Sequence, residues 1–220
     1  MDVKYAIPDR FLFRFSLPCL FLKETAGWSD LPEKYRLAGL EGMEGKSSGK
    51  ASPLEVRAAW SAEGLIFQFR ATGKKRSPWC NPNRPDESDR VELWLDTRNV
   101  RNVHRATRYC HRFVCLPTGG GKDGDDAVIL PLPINRAKQQ TADLPNGSVR
   151  IVSKIYRDGY AMNVFFTAAS LTGWDTADFR ELGFAWMVSD HELGVRTLTA
   201  GEPFPYMEDP SLWYVLSLQD

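Results

Sequence analysis

Apolar residues alternate with polar ones in short runs along most of the chain. Phe11, Phe13 and Phe15 alternate near the start, and Leu65, Phe67 and Phe69 alternate against Ile66, Gln68 and Arg70. Val91, Leu93 and Leu95 alternate against Glu92, Trp94 and Asp96. Further runs cover Ser148 to Arg157, Tyr160 to Thr167, Leu182 to Asp190 and Leu212 to Leu218. A period of two is the signature of strands with one face buried, because successive side chains point to opposite faces. Asp158-Gly159 between two runs is a hairpin signal, since both residues accept a left-handed backbone. No apolar period of 3.6 residues persists beyond three turns, and only short helical turns are expected, at 134–140 and 167–171. Many short strands separated by Gly, Pro, Asn and Asp predict an all-β, antiparallel β-sandwich of two sheets, immunoglobulin- or jelly-roll-like, with long loops and one or two short helices. Residues 39–52 and 118–126 read as the long loops. One domain over 1–220 is expected, with its core at about 54–218 and an N-terminal strand at about 10–16 packed on it.

Composition narrows the function classes. Lysine plus arginine number 28, as do aspartate plus glutamate. Balance of this kind argues against nucleic acid or an anionic membrane, which need clustered excess positive charge. The basic runs Lys74-Lys75-Arg76 and 98–112 read as solvated loops. No stretch approaches the ~20 apolar residues of a membrane span, and Phe11 to Leu22, broken by Arg14, Ser16 and Pro18, does not read as a signal segment. A cytoplasmic location is the expectation. The four cysteines, Cys19, Cys80, Cys110 and Cys115, are expected as free thiols. On one strand His111 and Cys115 would lie ~13 Å apart, too far to share a zinc ion.

Candidate chemistry is sparse. Gly119-Gly120-Gly121-Lys122 lacks phosphate-loop spacing and precedes no helix. Asp89 and Asp96 bracket one run and sit ~23 Å apart, whereas paired catalytic carboxylates need ~5–9.5 Å; Asp190 is the candidate partner from another strand. His104, His111 and His191 carry no motif partner, and the chain is not expected to be an enzyme. Asp123, Asp125 and Asp126 supply oxygens for a structural calcium but lack the EF-hand spacing; no other cofactor is indicated. Of seven tryptophans, Trp60 and Trp186 read as core. Trp94 shares a face with Arg90, Glu92 and Asp96, which reads as a partly exposed binding surface. Trp79 lies in a Pro/Asn-rich loop where no alternation accounts for it, and reads either as a loop anchor or as a sugar-stacking ring.

At Ser88-Asp89-Arg90-Val91-Glu92-Leu93-Trp94-Leu95-Asp96-Thr97-Arg98 the chain resembles the signature strand of the family 9 carbohydrate-binding modules and their DOMON-like relatives. Asp158-Gly159-Tyr160, Ala169-Ser170-Leu171, Leu182-Gly183-Phe184, Val188-Ser189-Asp190 and Asp209-Pro210-Ser211-Leu212-Trp213 follow in the family's order, from about Leu54 to Leu218. The resemblance implies an antiparallel sandwich, often with structural calcium, that binds sugar chain ends between two tryptophans. Carried over residue by residue, it implies Trp79 as one tryptophan, Glu92 as the sugar-binding glutamate and Arg112 as the arginine on the next strand. Tyr206 stands near the second tryptophan's place. Met187 replaces a glutamine, Asn163 a glutamate, and Phe166-Thr167 an Ile-Pro. The expected ligand-binding set is therefore Trp79, Glu92, Trp94, Arg112 and Tyr206. Three functions stay open: a non-catalytic carbohydrate-binding domain, which the family places outside the cell; an intracellular module that uses the aromatic face for a protein partner; and a hydrolase accessory or catalytic domain.

Overall fold

The computed structural model describes residues 15–25, 28–38, 53–198 and 204–220. The regular elements among these described residues are eleven strands and a few single 3-10 turns. The strands are β1 Ser16–Phe21, β2 Leu54–Ser61, β3 Gly64–Thr72, β4 Arg90–Asp96, β5 Cys110–Gly120 and β6 Asp126–Pro131. They continue with β7 Val149–Tyr156, β8 Gly159–Thr167, β9 Glu181–Asp190, β10 Gly194–Thr197 and β11 Tyr214–Gln219.

All strands belong to one sheet path, β6-β5-β4-β9-β11-β1-β2-β3-β8-β7, with β10 paired to the far end of β9. The path folds back on itself as a sandwich, and Ser153 of β7 reaches the Pro117 carbonyl of β5 (2.5 Å), so the barrel is nearly closed. Alternation dictates the filling. Leu65, Phe67 and Phe69 of β3 point inward, and so do Val91, Leu93 and Leu95 of β4. Phe67 stacks on Phe184 of β9 at 5.1 Å, and Phe113 of β5 meets Phe166 of β8 at 4.5 Å. Each fully buried ring of this kind contributes about 1.5–3 kcal/mol relative to exposure. The tight β7–β8 hairpin needs Gly159, where a Cβ would fall 1.9 Å from the Ala71 carbonyl of β3.

Loops cover both outer faces. On the β4–β9 side Trp94, Ala106, Cys110, Ile134, Ala185, Met187, Tyr206 and Trp213 form a second apolar cluster. On the β2–β3–β8 side Leu31, Tyr35, Ala59, Ile66 and Phe165 form a third.

From Leu65 onward the strand runs expected from alternation are present. β1 is parallel to both β11 and β2, which lets it bridge the two halves, so the sheet is not wholly antiparallel. It spans Ser16–Phe21; most of the expected strand at about 10–16 lies outside the described residues, as does the expected loop 39–52. Residues 118–126 form a hairpin with a short turn rather than a long loop: β5 runs to Gly120 and β6 begins at Asp126, with glycines turning the hairpin. A 3-10 turn forms at Ala168–Ser170, whereas 134–140 holds turns only, pinned by mutual hydrogen bonds between Gln140 and the Ile134 backbone. All four cysteines are unpaired, and burial raises the Cys19 and Cys115 thiols well above their usual range.

Candidate functional site

The segment between β3 and β4 is short of regular structure but heavily fastened. The Asn81 N–H donates to Ser88 Oγ (2.8 Å), and a 3-10 turn follows at Pro85–Glu87, where proline presets the backbone. The Trp79 N–H donates to Asp89 Oδ2 (3.1 Å), and the Asp89 N–H donates back to the Trp79 carbonyl (2.9 Å). This staple leaves the indole outside, 45% exposed. Its plane meets the His191 ring edge-on at 5.9 Å, and the Arg84 guanidinium sits 5.7 Å from its centre. Between these groups lies an open cleft of about 470 Å³ lined by Trp79, Arg84, Asp86, Glu87, Ser189, Asp190 and His191.

Below the rim stands a charged clamp. Arg90 donates through Nη1 to the Asp86 carbonyl (2.6 Å) and through Nε to Glu92 Oε1 (2.7 Å). Glu92 Oε2 accepts from Arg112 Nε (3.0 Å) and Nη2 (2.8 Å). The carboxylate is 1% exposed, so two guanidinium groups supply the solvation it loses. Arg112 also lies 5.8 Å from the centre of the Trp94 ring.

Beside the cleft is a buried ion cluster. Lys74 Nζ contacts Asp190 Oδ2 (2.6 Å), Asp89 Oδ2 (3.2 Å) and Glu192 Oε2 (3.8 Å). Burial pulls the ammonium's pKa down, but the Asp190 hydrogen bond and the charges of both aspartates outweigh it, and the net shift is upward. For Asp89, burial pushes upward, and the His191 and Trp79 hydrogen bonds with the Lys74 charge reverse the sign.

The five expected ligand residues separate. Trp79 lines the cleft, whereas Glu92 joins Arg112 outside its lining and is linked to it through Arg90 and the Asp86 carbonyl. Trp94 and Tyr206 are buried, at 0% and 5% exposure, and meet edge-on at 5.7 Å. The expectation of a partly exposed Trp94 face is corrected: the loops carrying Ala106, Ile134 and Tyr206 cover it. Tyr206 donates its hydroxyl to Met187 Sδ (3.3 Å) and its carbonyl accepts from Trp213 Nε1 (2.6 Å), so it plugs this face rather than facing solvent. Lys74 also departs from the solvated-loop reading, being 4% exposed. Asp89 and Asp190 do converge, but on Lys74. His191, Arg84, Asp86 and Glu87 were missed. They carry no local pattern, and only the pairing of β4 with β9 brings residues 84–89 beside 189–191.

Calcium does not fit the Gly-rich turn. Asp123, Asp125 and Asp126 are exposed, and no group of three or more His, Cys, Asp or Glu side chains among the described residues is arranged to hold a metal ion.

No family model matches the chain, and no curated protein matches it by sequence. Solved structures do share its fold. A family 9 carbohydrate-binding module from Caldicellulosiruptor kristjanssonii in complex with cellotriose aligns with TM-score 0.59 and 11% identity over 93% of this chain and 94% of that one. The structure of a family 9 module from the same organism with glucose aligns with TM-score 0.59 and 11% identity over 93% and 95%. The chain has the β-sandwich fold of the family 9 carbohydrate-binding modules.

Proposed function

We propose that the protein binds carbohydrate without catalysis, using the cleft beside Trp79. The observation that carries this reading is the half-exposed indole, held outward by its backbone staple to Asp89, above a polar cleft. A pyranose has an apolar C–H face that stacks on such a ring, and its hydroxyls need donors and acceptors around it. Asp86, Glu87, Ser189 and the outer Nε2 of His191, whose Nδ1 is turned to Asp89, offer acceptors, while Arg84 offers donors. Binding rather than turnover is favoured because Asp89 and Asp190, the carboxylates that converge, are both engaged by Lys74. The shared fold makes glucose and cellotriose the first ligands to try. Isothermal titration should give millimolar to micromolar affinity, and Trp79→Ala should weaken it about tenfold, the ~1.4 kcal/mol scale of one aromatic contact. Equal affinity in wild type and Trp79→Ala, or no heat with any neutral sugar, would remove this reading.

A further inference from the structure

The Lys74 ammonium stands where three chain segments cross: the one leaving β3, the one entering β4 and the one leaving β9. We propose that Lys74 is the positioning residue of the cleft: its buried ammonium, acting through Asp89 and Asp190, fixes the Trp79 and His191 walls and serves as a tethered counter-ion that makes a bound metal unnecessary there.

The connections are direct. Asp89 divides its oxygens between the cation and the cleft: Oδ2 meets Lys74 Nζ (3.2 Å) and accepts from the Trp79 N–H (3.1 Å). Its Oδ1 accepts the His191 N–H (2.8 Å) and meets His191 Nδ1 at 2.5 Å. One carboxylate thus holds both aromatic walls. Asp190 Oδ2 meets the same ammonium (2.6 Å), while its Oδ1 accepts from the Glu192 and Leu193 N–H groups (2.8 and 3.0 Å) and fixes the turn carrying His191. Glu192 closes the circuit by accepting from the N–H groups of Lys75 (3.1 Å) and Arg76 (3.0 Å). Lys74 itself is anchored through its N–H to the Asp158 carbonyl (2.9 Å).

The charges leave little freedom. The Lys74, Asp89 and Asp190 side chains are 1%, 2% and 0% exposed, so water cannot screen them. Near them the Tyr160 hydroxyl is buried and has no hydrogen-bond partner among the described residues, and burial and the two aspartates push its pKa upward. Without the ammonium, two buried carboxylates would face each other beside that hydroxyl, and repulsion would separate them or drive one to protonate. Either response releases the Asp89 grip on Trp79 and His191.

The effect on sugar affinity rests on the carbohydrate reading; the effect on Trp79 does not. The test is the ¹⁵N–¹H indole resonance of Trp79, assigned by Trp79→Phe, in wild type, Lys74→Met and Lys74→Met/Asp89→Asn, with sugar titrations in parallel. Lys74→Met keeps the stem and removes the charge. It should shift or broaden the Trp79 resonance and weaken sugar binding about tenfold, and the double variant, with one carboxylate neutralised, should recover part of both. Excess EDTA should leave the wild-type resonance unchanged. A Trp79 resonance in Lys74→Met that matches wild type overturns the proposal, and so does a wild-type resonance that EDTA moves. Should Lys74→Met not fold, Asp89→Ala, which removes both acceptor oxygens, must displace the Trp79 resonance, and an unmoved peak refutes the proposal. Wild type that binds no sugar while Lys74→Met still displaces Trp79 would defeat the carbohydrate reading and leave the positioning role standing.

Discussion

Acidification should destabilise the protein through His111. This imidazole is 1% exposed on β5, stacked at 5.8 Å over Phe113, with Nδ1 3.3 Å from Thr141 Oγ1. Burial pushes its pKa down from the ordinary 6.5 to about 4, and a hydrogen bond with the Thr172 backbone offsets only part of that. Because the folded state resists the proton that the unfolded chain accepts, stability falls as pH drops from about 6.5 toward 4 and is level above that window. At ~1.36 kcal/mol per pH unit, the loss between pH 7 and pH 5 is ~2 kcal/mol. The assay is urea unfolding at pH 7 and pH 5 in wild type and in His111→Gln, which cannot titrate. Carboxylates change both proteins alike, so the difference isolates the imidazole. The variant should lose ~2 kcal/mol less than wild type between the two pH values. A difference under ~0.5 kcal/mol would mean that His111 protonates in place, and the burial argument would be wrong.

Two further substitutions test the frame around the cleft. Glu92→Gln leaves Arg90 and Arg112 without their counter-charge; because both arginines keep some solvent access, the cost should be ~2–3 kcal/mol, below the ~3–5 of a fully buried pair. Denaturant midpoints read this directly, and a loss below ~1 kcal/mol would show that the clamp is a surface pair. Gly159→Ala drives a Cβ into the Ala71 carbonyl and should cost far more than Gly124→Ala, which has positive φ but open space around it. Equal unfolding temperatures for the two variants would contradict the hairpin geometry.

The fold was largely legible because strand alternation is written residue by residue. Leu65-Phe67-Phe69 and Val91-Leu93-Leu95 turn inward as their period requires. The parallel placement of β1 was not legible, since pairing partners 39 and 199 positions away leave no local mark. Of the candidate site, Trp79 stood out because a loop tryptophan without alternation lacks a core to fill, and Glu92 with Arg112 came from the family resemblance. Trp94 misled because alternation places a side chain on a face and says nothing of what covers that face; Ala106, Ile134 and Tyr206 come from three distant segments. Lys74 was misread for a similar reason. A lysine in a basic run looks solvated until the fold brings Asp89 and Asp190 to it from positions 15 and 116 residues away.

The most direct test of the central claim is a chemical-shift map of the ¹⁵N-labelled protein titrated with glucose and cellotriose. The account predicts that the largest saturable shifts fall on the Trp79 indole and on the backbone of Asp86, Glu87, Ser189 and His191. Saturable shifts confined to another face, such as Val152 and Tyr156 on β7, would contradict it, and so would a spectrum that neither sugar changes at millimolar concentration.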